Sequence, residues 1–221
     1  MIRLLLIRHG ETEWNREGRY HGHTDIELNK TGMEQARRLG QRLSHENIDA
    51  IYSSSLTRAI QTAQHISEAH DLSVIGCDEL KELNLGDFEG KWFKESGDNG
   101  RSLETAWENG DVDFPIPGGE TLYELQSRVS GFLSELLERH DSGTLALVAH
   151  GGSLRIALCH LIGIDLKCWW RLQLSSTSLS IVNTYPDHTI LSLLNDTCHL
   201  LSCYPPAIER DVPTQSPLER M

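Results

Sequence analysis

Residues 4–15, LLLIRHGETEWN, run apolar from Leu4 to Ile7 and then place Arg8, His9 and Gly10 at the end of that run. The span from Ile2 to Ile7 is apolar apart from Arg3, which is the pattern of a strand buried on both faces. A cation and an imidazole where such a strand stops are either an ordinary strand-to-loop boundary or one wall of a site for something anionic. The rest of the chain bears on that choice.

A second run of the same kind, Thr144–Ala149 (TLALVA), ends at His150, Gly151 and Gly152 and leads into a helix expected to reach Leu161. Ala50–Tyr52 reads as a short strand. Ser53, Ser54 and Ser55 follow as caps for a helix over Leu56–Ala69, with Ile60, Ala63 and Ile66 inward and Arg58 in its first turn. Thr31 and Glu34 suggest a capping box for a helix over Thr31–Ser44, with Met33, Ala36, Leu39 and Leu43 on one face. Thr121 and Glu124 suggest another, opening a long helix to about His140. Leu72–Ile75 is expected as a third strand, and Leu179–Thr184 with Thr189–Leu194 as a closing pair around Pro186 and Asp187. Asp165–Trp170 reads as a short helical stretch. Between Leu83 and Gly119, glycines and prolines break the pattern repeatedly, leaving a short helix near Leu103–Asn109.

Strands alternating with helices imply an α/β fold: a three-layer sandwich with a mostly parallel central sheet and helices on both faces. With 221 residues, one domain is expected over 1–203, with an insertion at about 83–119 capping the site and an irregular proline-bearing tail over 204–221. A formal net charge of -12 argues against a broad nucleic-acid or anionic-membrane surface, yet leaves room for one small basic pocket. No apolar run is long enough to span a bilayer, and MIRLLLIRHGE lacks the features of a secretory signal, so a cytoplasmic protein is expected. The cysteines, Cys77, Cys159, Cys168, Cys198 and Cys203, are odd in number without a Cys-x-x-Cys pair and read as reduced thiols.

In open α/β sheets, ligands bind outside the carboxyl ends of the strands. Three such ends deliver Arg8 with His9, Arg58, and His150 with Gly151 to one edge, where helix starts add unpaired N–H groups. An arginine in a helix's first turn opposes the macrodipole, so Arg58 calls for an anion, most simply a phosphate monoester held by guanidinium forks.

The segments RHGETEWN (8–15), YSSSLTRAIQTA (52–63), LKELNLGDFEG (80–90), PGGET (117–121) and VAHGG (148–152), with Leu28, Gly32, Gln35 and Ala36, resemble the histidine phosphatase superfamily, also called phosphoglycerate mutase-like. The likeness runs in order from Ile2 to about Leu200. It implies phosphoryl transfer through a phosphohistidine, with His9 as nucleophile, Arg8, Arg58 and His150 on the phosphoryl oxygens, and Asn15 adding a neutral hydrogen bond. Among Glu82, Asp87 and Glu89, the residues alone do not choose a proton donor; the resemblance favours Glu82. Substrate contacts are expected at His21, where many relatives have Gln, with Gly22 beside it and Gly151 at the helix start. No metal or other cofactor is required, His21 and His23 being a poor metal pair.

The short interval from Glu82 to His150 favours a phosphatase acting on a small phosphorylated metabolite over a mutase. A non-catalytic phospho-ligand binder is the third reading. Phosphoserine phosphatases of this type tend to carry histidine where Leu85 stands, which weakens that substrate. Trp92, Phe93 and Trp107 read as a satellite core in preference to a lid, Trp169 and Trp170 as packing or a subunit contact, and His199 as packed or capping. A homodimer is common in the family, and the oligomeric state stays open.

Overall fold

The computed structural model describes residues 1–93 and 103–201. The expected tail and the middle of the insertion therefore lie outside the described residues, as does Cys203. The elements are β1 (Ile2–Arg8), α1 (Glu13–Glu17), α2 (Lys30–Leu43), β2 (Ala50–Ser54), α3 (Thr57–His70), β3 (Val74–Cys77), α4 (Leu103–Glu108), α5 (Leu122–Arg139), β4 (Gly143–Ala149), α6 (Gly151–Ile162), β5 (Leu179–Thr184) and β6 (Thr189–Asp196). Short 3₁₀ turns cover Asp78–Leu80, Gly86–Phe88, Leu166–Arg171 and Cys198–Leu200.

One sheet of order β3-β2-β4-β1-β5-β6 forms the middle layer, parallel from β3 to β1 and antiparallel at β5 and β6. Successive side chains of a strand face opposite layers. Leu4, Leu6, Leu145 and Leu147 accordingly join the core beneath α5 and α6, while Leu5, Ile7, Ala146 and Val148 join the core beneath α2 and α3. Both faces are thus buried along Leu4–Ile7 of β1 and Leu145–Ala149 of β4, which is why those stretches are apolar throughout. Register then places the site: Arg8 lies opposite Ala149, and both Ile7 and Ser53 lie opposite Val148. The last residues of β1, β4 and β2 come level, and the loops that leave them open side by side.

Several local expectations are corrected. Helix α2 is capped by Asn29, whose side chain accepts from Gly32 N, and not by Thr31; Glu34 turns instead to Arg37 and Arg38. Met33 is 40% exposed, and the inward face is Gly32, Ala36, Leu39, Gly40 and Leu43. Ser53 and Ser54 belong to β2, and none of the three serines is the cap of α3. A carboxylate from another loop serves there: Asp25 Oδ1 accepts from Thr57 N at 2.7 Å and Oδ2 from Thr57 Oγ1 at 2.7 Å. The third strand is shifted to Val74–Cys77. The Thr121–Glu124 capping box forms as expected.

Candidate active site

His9 leaves the end of β1 with its N–H donating to Ala149 O at 2.9 Å and its carbonyl accepting from Thr177 N at 3.2 Å, so the backbone is held from both sides. Its ring Nδ1 lies 2.7 Å from Gly10 O. A carbonyl only accepts, so in the neutral ring Nδ1 carries the proton and Nε2 keeps the free lone pair. Burial, then the charges of Arg58 and Arg8, push His9 well below the usual histidine range. The loop that carries it is packed tightly. Gly10 N donates to Thr62 Oγ1 at 3.0 Å and Glu11 N to Gln35 Oε1 at 2.9 Å, while a Cβ on Gly10 would fall 2.6 Å from Gly32 O. The scattered residues Gly32 and Gln35 are therefore the bed on which the His9 loop rests.

Arg58 is fully buried and its fork is spread over protein acceptors: Nη2 donates to Gly22 O at 2.8 Å, Nη1 to Thr24 O at 2.9 Å and Nε to His150 Nδ1 at 3.2 Å. Desolvation lowers it to about 10, opposed by Glu82, Asp25 and Glu89, so it is charged at neutral pH. Part of the compensation that its place in a helix's first turn calls for thus comes from protein carboxylates. Gly22 has φ +50°, and a Cβ there would lie 1.9 Å from Glu89 Oε1. That carboxylate in turn accepts from His23 N and Thr24 N, which fixes the turn whose carbonyls hold Arg58.

Arg8 Nη1 donates to Leu174 O at 2.6 Å, while its buried Nε has no partner among the described residues. A buried guanidinium N–H with no partner among the described residues is a donor suited to an anion. His150 is fully buried with its ring centroid 5.0 Å from that of His9. Its Nδ1 accepts from Arg58, so Nε2 donates to Ser54 Oγ at 2.8 Å, and both nitrogens have protein partners. Asn15 closes a capping box on α1: its Oδ1 accepts from Thr12 N at 3.1 Å, leaving the amide NH₂ free. The ring of His21 shares a hydrogen bond with Thr12 Oγ1 and is lowered to about 3 by burial and then Arg58. His23 Nε2 donates to Glu82 O, so His21 and His23 face different partners and do not converge.

The carboxylate of Glu82 sits over the start of α6. Oε1 accepts from Leu83 N at 2.8 Å and Ser153 N at 3.2 Å, and Oε2 from Gly152 N at 3.0 Å. A Cβ on Gly152 would come within 2.3 Å of Oε1, and one on Gly151 would meet Arg8 Nε at 3.7 Å and Glu82 Oε2 at 3.8 Å. The two glycines give carboxylate and guanidinium room to approach each other. Arg8, His9, Asn15, His21, Gly22 and Arg58 line one cavity of about 300 Å³ together with Glu82, Gly151 and Gly152. Of the expected site residues only His150 is absent from its wall, its ring tilted 58° to that of His9.

A family model described as histidine phosphatase superfamily (branch 1) matches residues 4–197. The chain belongs to that superfamily. This histidine phosphatase is 37% identical over 204 residues to phosphoserine phosphatase 1 of Hydrogenobacter thermophilus, covering 92% of this chain and 97% of the relative. A chain described as a probable phosphoglycerate mutase of Salmonella choleraesuis is 34% identical over 187 residues, covering 83% of this chain and 85% of its own. Among solved structures, a mutant phosphoserine phosphatase of Entamoeba histolytica in complex with phosphoserine superposes with a TM-score of 0.81 at 31% identity, covering 91% of this chain and all of that one. The α/β fold and the enzyme class read from the sequence, a phosphatase of this family, both stand.

The outer wall of this phosphatase departs from the sequence reading. Trp169 and Trp170, expected to pack or to make a subunit contact, line the cavity, as do Phe93 and Trp107. Trp107 is also buried core, its ring 5.1 Å from Trp169 and 5.0 Å from Trp170, so packing and lining are one role. Trp92 lies outside the cavity wall with Arg19 stacked on it at 3.9 Å. Arg19, Tyr20, Glu104 and Arg155 line the cavity and had not been singled out. Arg155 carried a readable signal: it stands four residues after Gly151, one turn along the same helix face. His199 is buried away from the cavity, between Thr177 Oγ1 at 3.1 Å and Arg42 Nη1 at 3.2 Å.

Proposed function

We propose that the chain is a metal-independent phosphomonoesterase that passes the phosphoryl group of a small phosphorylated metabolite to His9 and then to water. The observation that carries this reading is the His9 ring: buried, its Nδ1–H held by Gly10 O, and its Nε2 lone pair open to a cavity walled by Arg8 and Arg58. An imidazole is a nucleophile only when unprotonated, and burial with the cationic surroundings keeps it so. The same cations grip the phosphoryl oxygens and spread the charge that builds on them in the transition state, a task a metal ion performs elsewhere. Arg8 Nε and the free NH₂ of Asn15 supply further donors. His150 joins them once Arg58 Nε turns from its ring to a phosphoryl oxygen, leaving Nδ1 free to carry a proton toward the same group.

Nε2 of His9 forms a bond to phosphorus while the bond from phosphorus to the ester oxygen breaks, and Glu82 gives that oxygen its proton. Glu82 then takes a proton from water as the water attacks the phosphohistidine, the P–N bond breaks and phosphate leaves. Oε2 of Glu82 bears one backbone contact against two for Oε1, which suits it to hold the moving proton. The relatives named as phosphoserine and α-ribazole phosphatases support turnover of a small phosphorylated metabolite.

Phosphate release from an aryl phosphate in EDTA, with an acid-labile phosphoryl label that His9→Ala removes, tests the reading. Activity that chelation abolishes and metal restores would sink it. Transfer of the label from 3-phosphoglycerate to its 2-hydroxyl, without release, would instead favour the mutase reading suggested by the Salmonella relative.

A further inference from the structure

The phosphoryl chemistry above makes no use of Arg155, yet this arginine is also held in place by the protein. It lies on α6 one turn beyond Gly151, its Nε donates to Leu172 O at 2.6 Å, and its guanidinium carbon stands 4.4 Å from the Trp170 ring centroid and 5.8 Å from that of Trp169. Stacking and the Nε contact fix the plane of the fork. Among the described residues neither terminal nitrogen has an acceptor and no carboxylate stands within ion-pair distance.

The local charge count points the same way. Arg58 has Asp25 and Glu89 as well as Glu82, whereas Arg8 and Arg155 share Glu82, whose oxygens already accept three backbone N–H groups. Burial and the nearby charge of Arg8 lower Arg155 to about 10, so it remains a cation at neutral pH. A phosphate ester gripped by Arg8 and Arg58 leaves Arg155 unneutralised, and a half-buried unpaired cation is costly. Beside it, Trp169 Nε1 is a buried donor without a partner among the described residues, on a ring that also lines the cavity. A fixed planar fork with a neutral N–H alongside matches the two oxygens of a carboxylate.

We propose that Arg155, seated on Trp170, forms a second anion subsite that takes a carboxylate on the alcohol part of the ester, so that phosphorylated hydroxy acids are preferred over neutral polyol and sugar phosphates. This rests on the cavity being a phosphate-ester site. It narrows the substrate through a residue distinct from those that hold the phosphoryl group. Selectivity on this account lies in a guanidinium carried by α6 and the 3₁₀ turn Leu166–Arg171 that supports it, and not at position 85, where a leucine stands.

Calorimetric titration of the His9→Ala protein with 3-phosphoglycerate and with glycerol 3-phosphate tests this, since the two esters differ only in a carboxylate against a hydroxymethyl group and no turnover intervenes. The acid is expected to bind at least about tenfold more tightly, the scale of a charge-assisted hydrogen-bonded pair. Adding Arg155→Gln should bring the ratio of affinities to within about twofold, and Arg155→Lys, which keeps the charge without the fork, should leave an intermediate ratio. A merely structural Arg155 would weaken both esters together and leave the ratio as it was. Equal affinities in the His9→Ala parent, or a preference that survives Arg155→Gln, overturns the subsite. Failure of the phosphatase reading shows separately, as wild-type protein that releases phosphate from neither ester nor from an aryl phosphate.

Discussion

At the scale of single residues, Arg58 shows how much of a binding group's action is geometry and not charge. Its three nitrogens are distributed to Gly22 O, Thr24 O and His150 Nδ1, so the guanidinium is both a cation in the cavity and the tie that holds the 21–24 turn against α3. Lysine at this position would keep the charge but gather its donors on one nitrogen, which cannot span the three separated acceptors that the fork reaches. Arg58→Lys is therefore expected to lower kcat/KM for an aryl phosphate by about 10²- to 10³-fold, the range seen when one transition-state donor is removed. Steady-state phosphate release checks it, and a loss smaller than about threefold would show that charge alone suffices. His9, Arg8, Arg58 and His150 were legible because each stands where a buried strand ends or a helix begins. The tautomer of His9 was not, because it depends on the carbonyl of Gly10 in a loop conformation. Arg155 was passed over for a similar reason: in sequence it sits inside an apolar helix, and only packing against Trp170 turns its fork toward the cavity.

At the scale of elements, the start of α6 and the middle of α5 make opposite predictions for the same substitution. Gly152 is at the α6 N-terminus with Glu82 Oε1 2.3 Å from where its Cβ would be, and that carboxylate is held by three backbone donors and cannot move without losing them. Gly152→Ala should cut kcat at least about tenfold by displacing Glu82, a scale comparable to removing a positioned acid–base group in part. Phosphate-release kinetics at saturating ester reads this, and an unchanged kcat would separate Glu82 from the chemistry. Gly131, in the exposed middle of α5, has nothing within 4 Å of its Cβ position. Gly131→Ala should stabilise the fold by about 0.5–1 kcal/mol through the lower entropy of its unfolded chain, as measured by urea unfolding. Most helices and strands were legible to within a few residues because their apolar periods are strong. Caps were less so. Asn29 and Asp25 win the starts of α2 and α3 because each also reaches a second loop, Asn29 through Glu11 and Asp25 from a segment far upstream, and such pairings have no local pattern.

At the scale of the molecule, strand alternation indicated a mostly parallel sheet, but not that β4 would lie between β2 and β1, an order that follows from long-range packing. That order gathers four buried histidines on or near the site side of the fold, His9, His21, His150 and His199, and this has a consequence for stability. Each binds its proton less readily in the folded chain than in the unfolded one: His21 is lowered to about 3 and His199 to about 4, with His9 and His150 also well below the usual range. Burial is the first cause in every case. Arg58 is next for His9, His21 and His150, and Arg42 for His199, whose neighbour Asp196 acts in the opposite direction. Between these folded values and about 6.5, the unfolded chain holds more protons, so unfolding free energy rises with pH across that window and falls on acidification. The stabilisation is fully present above about 6.5 and is lost progressively below it, at up to about 1.4 kcal/mol per pH unit for each histidine. The urea midpoint should accordingly be flat from pH 8 to 7 and drop steeply from pH 6.5 to 4.5, before most carboxylates begin to titrate. His199→Gln, which lies off the cavity, should shallow that slope by about one histidine's share, the comparison being made between unfolding free energies at pH 7 and pH 5. Identical slopes in the two proteins would show that His199 takes up its proton without unfolding, by turning from Arg42 toward Asp196.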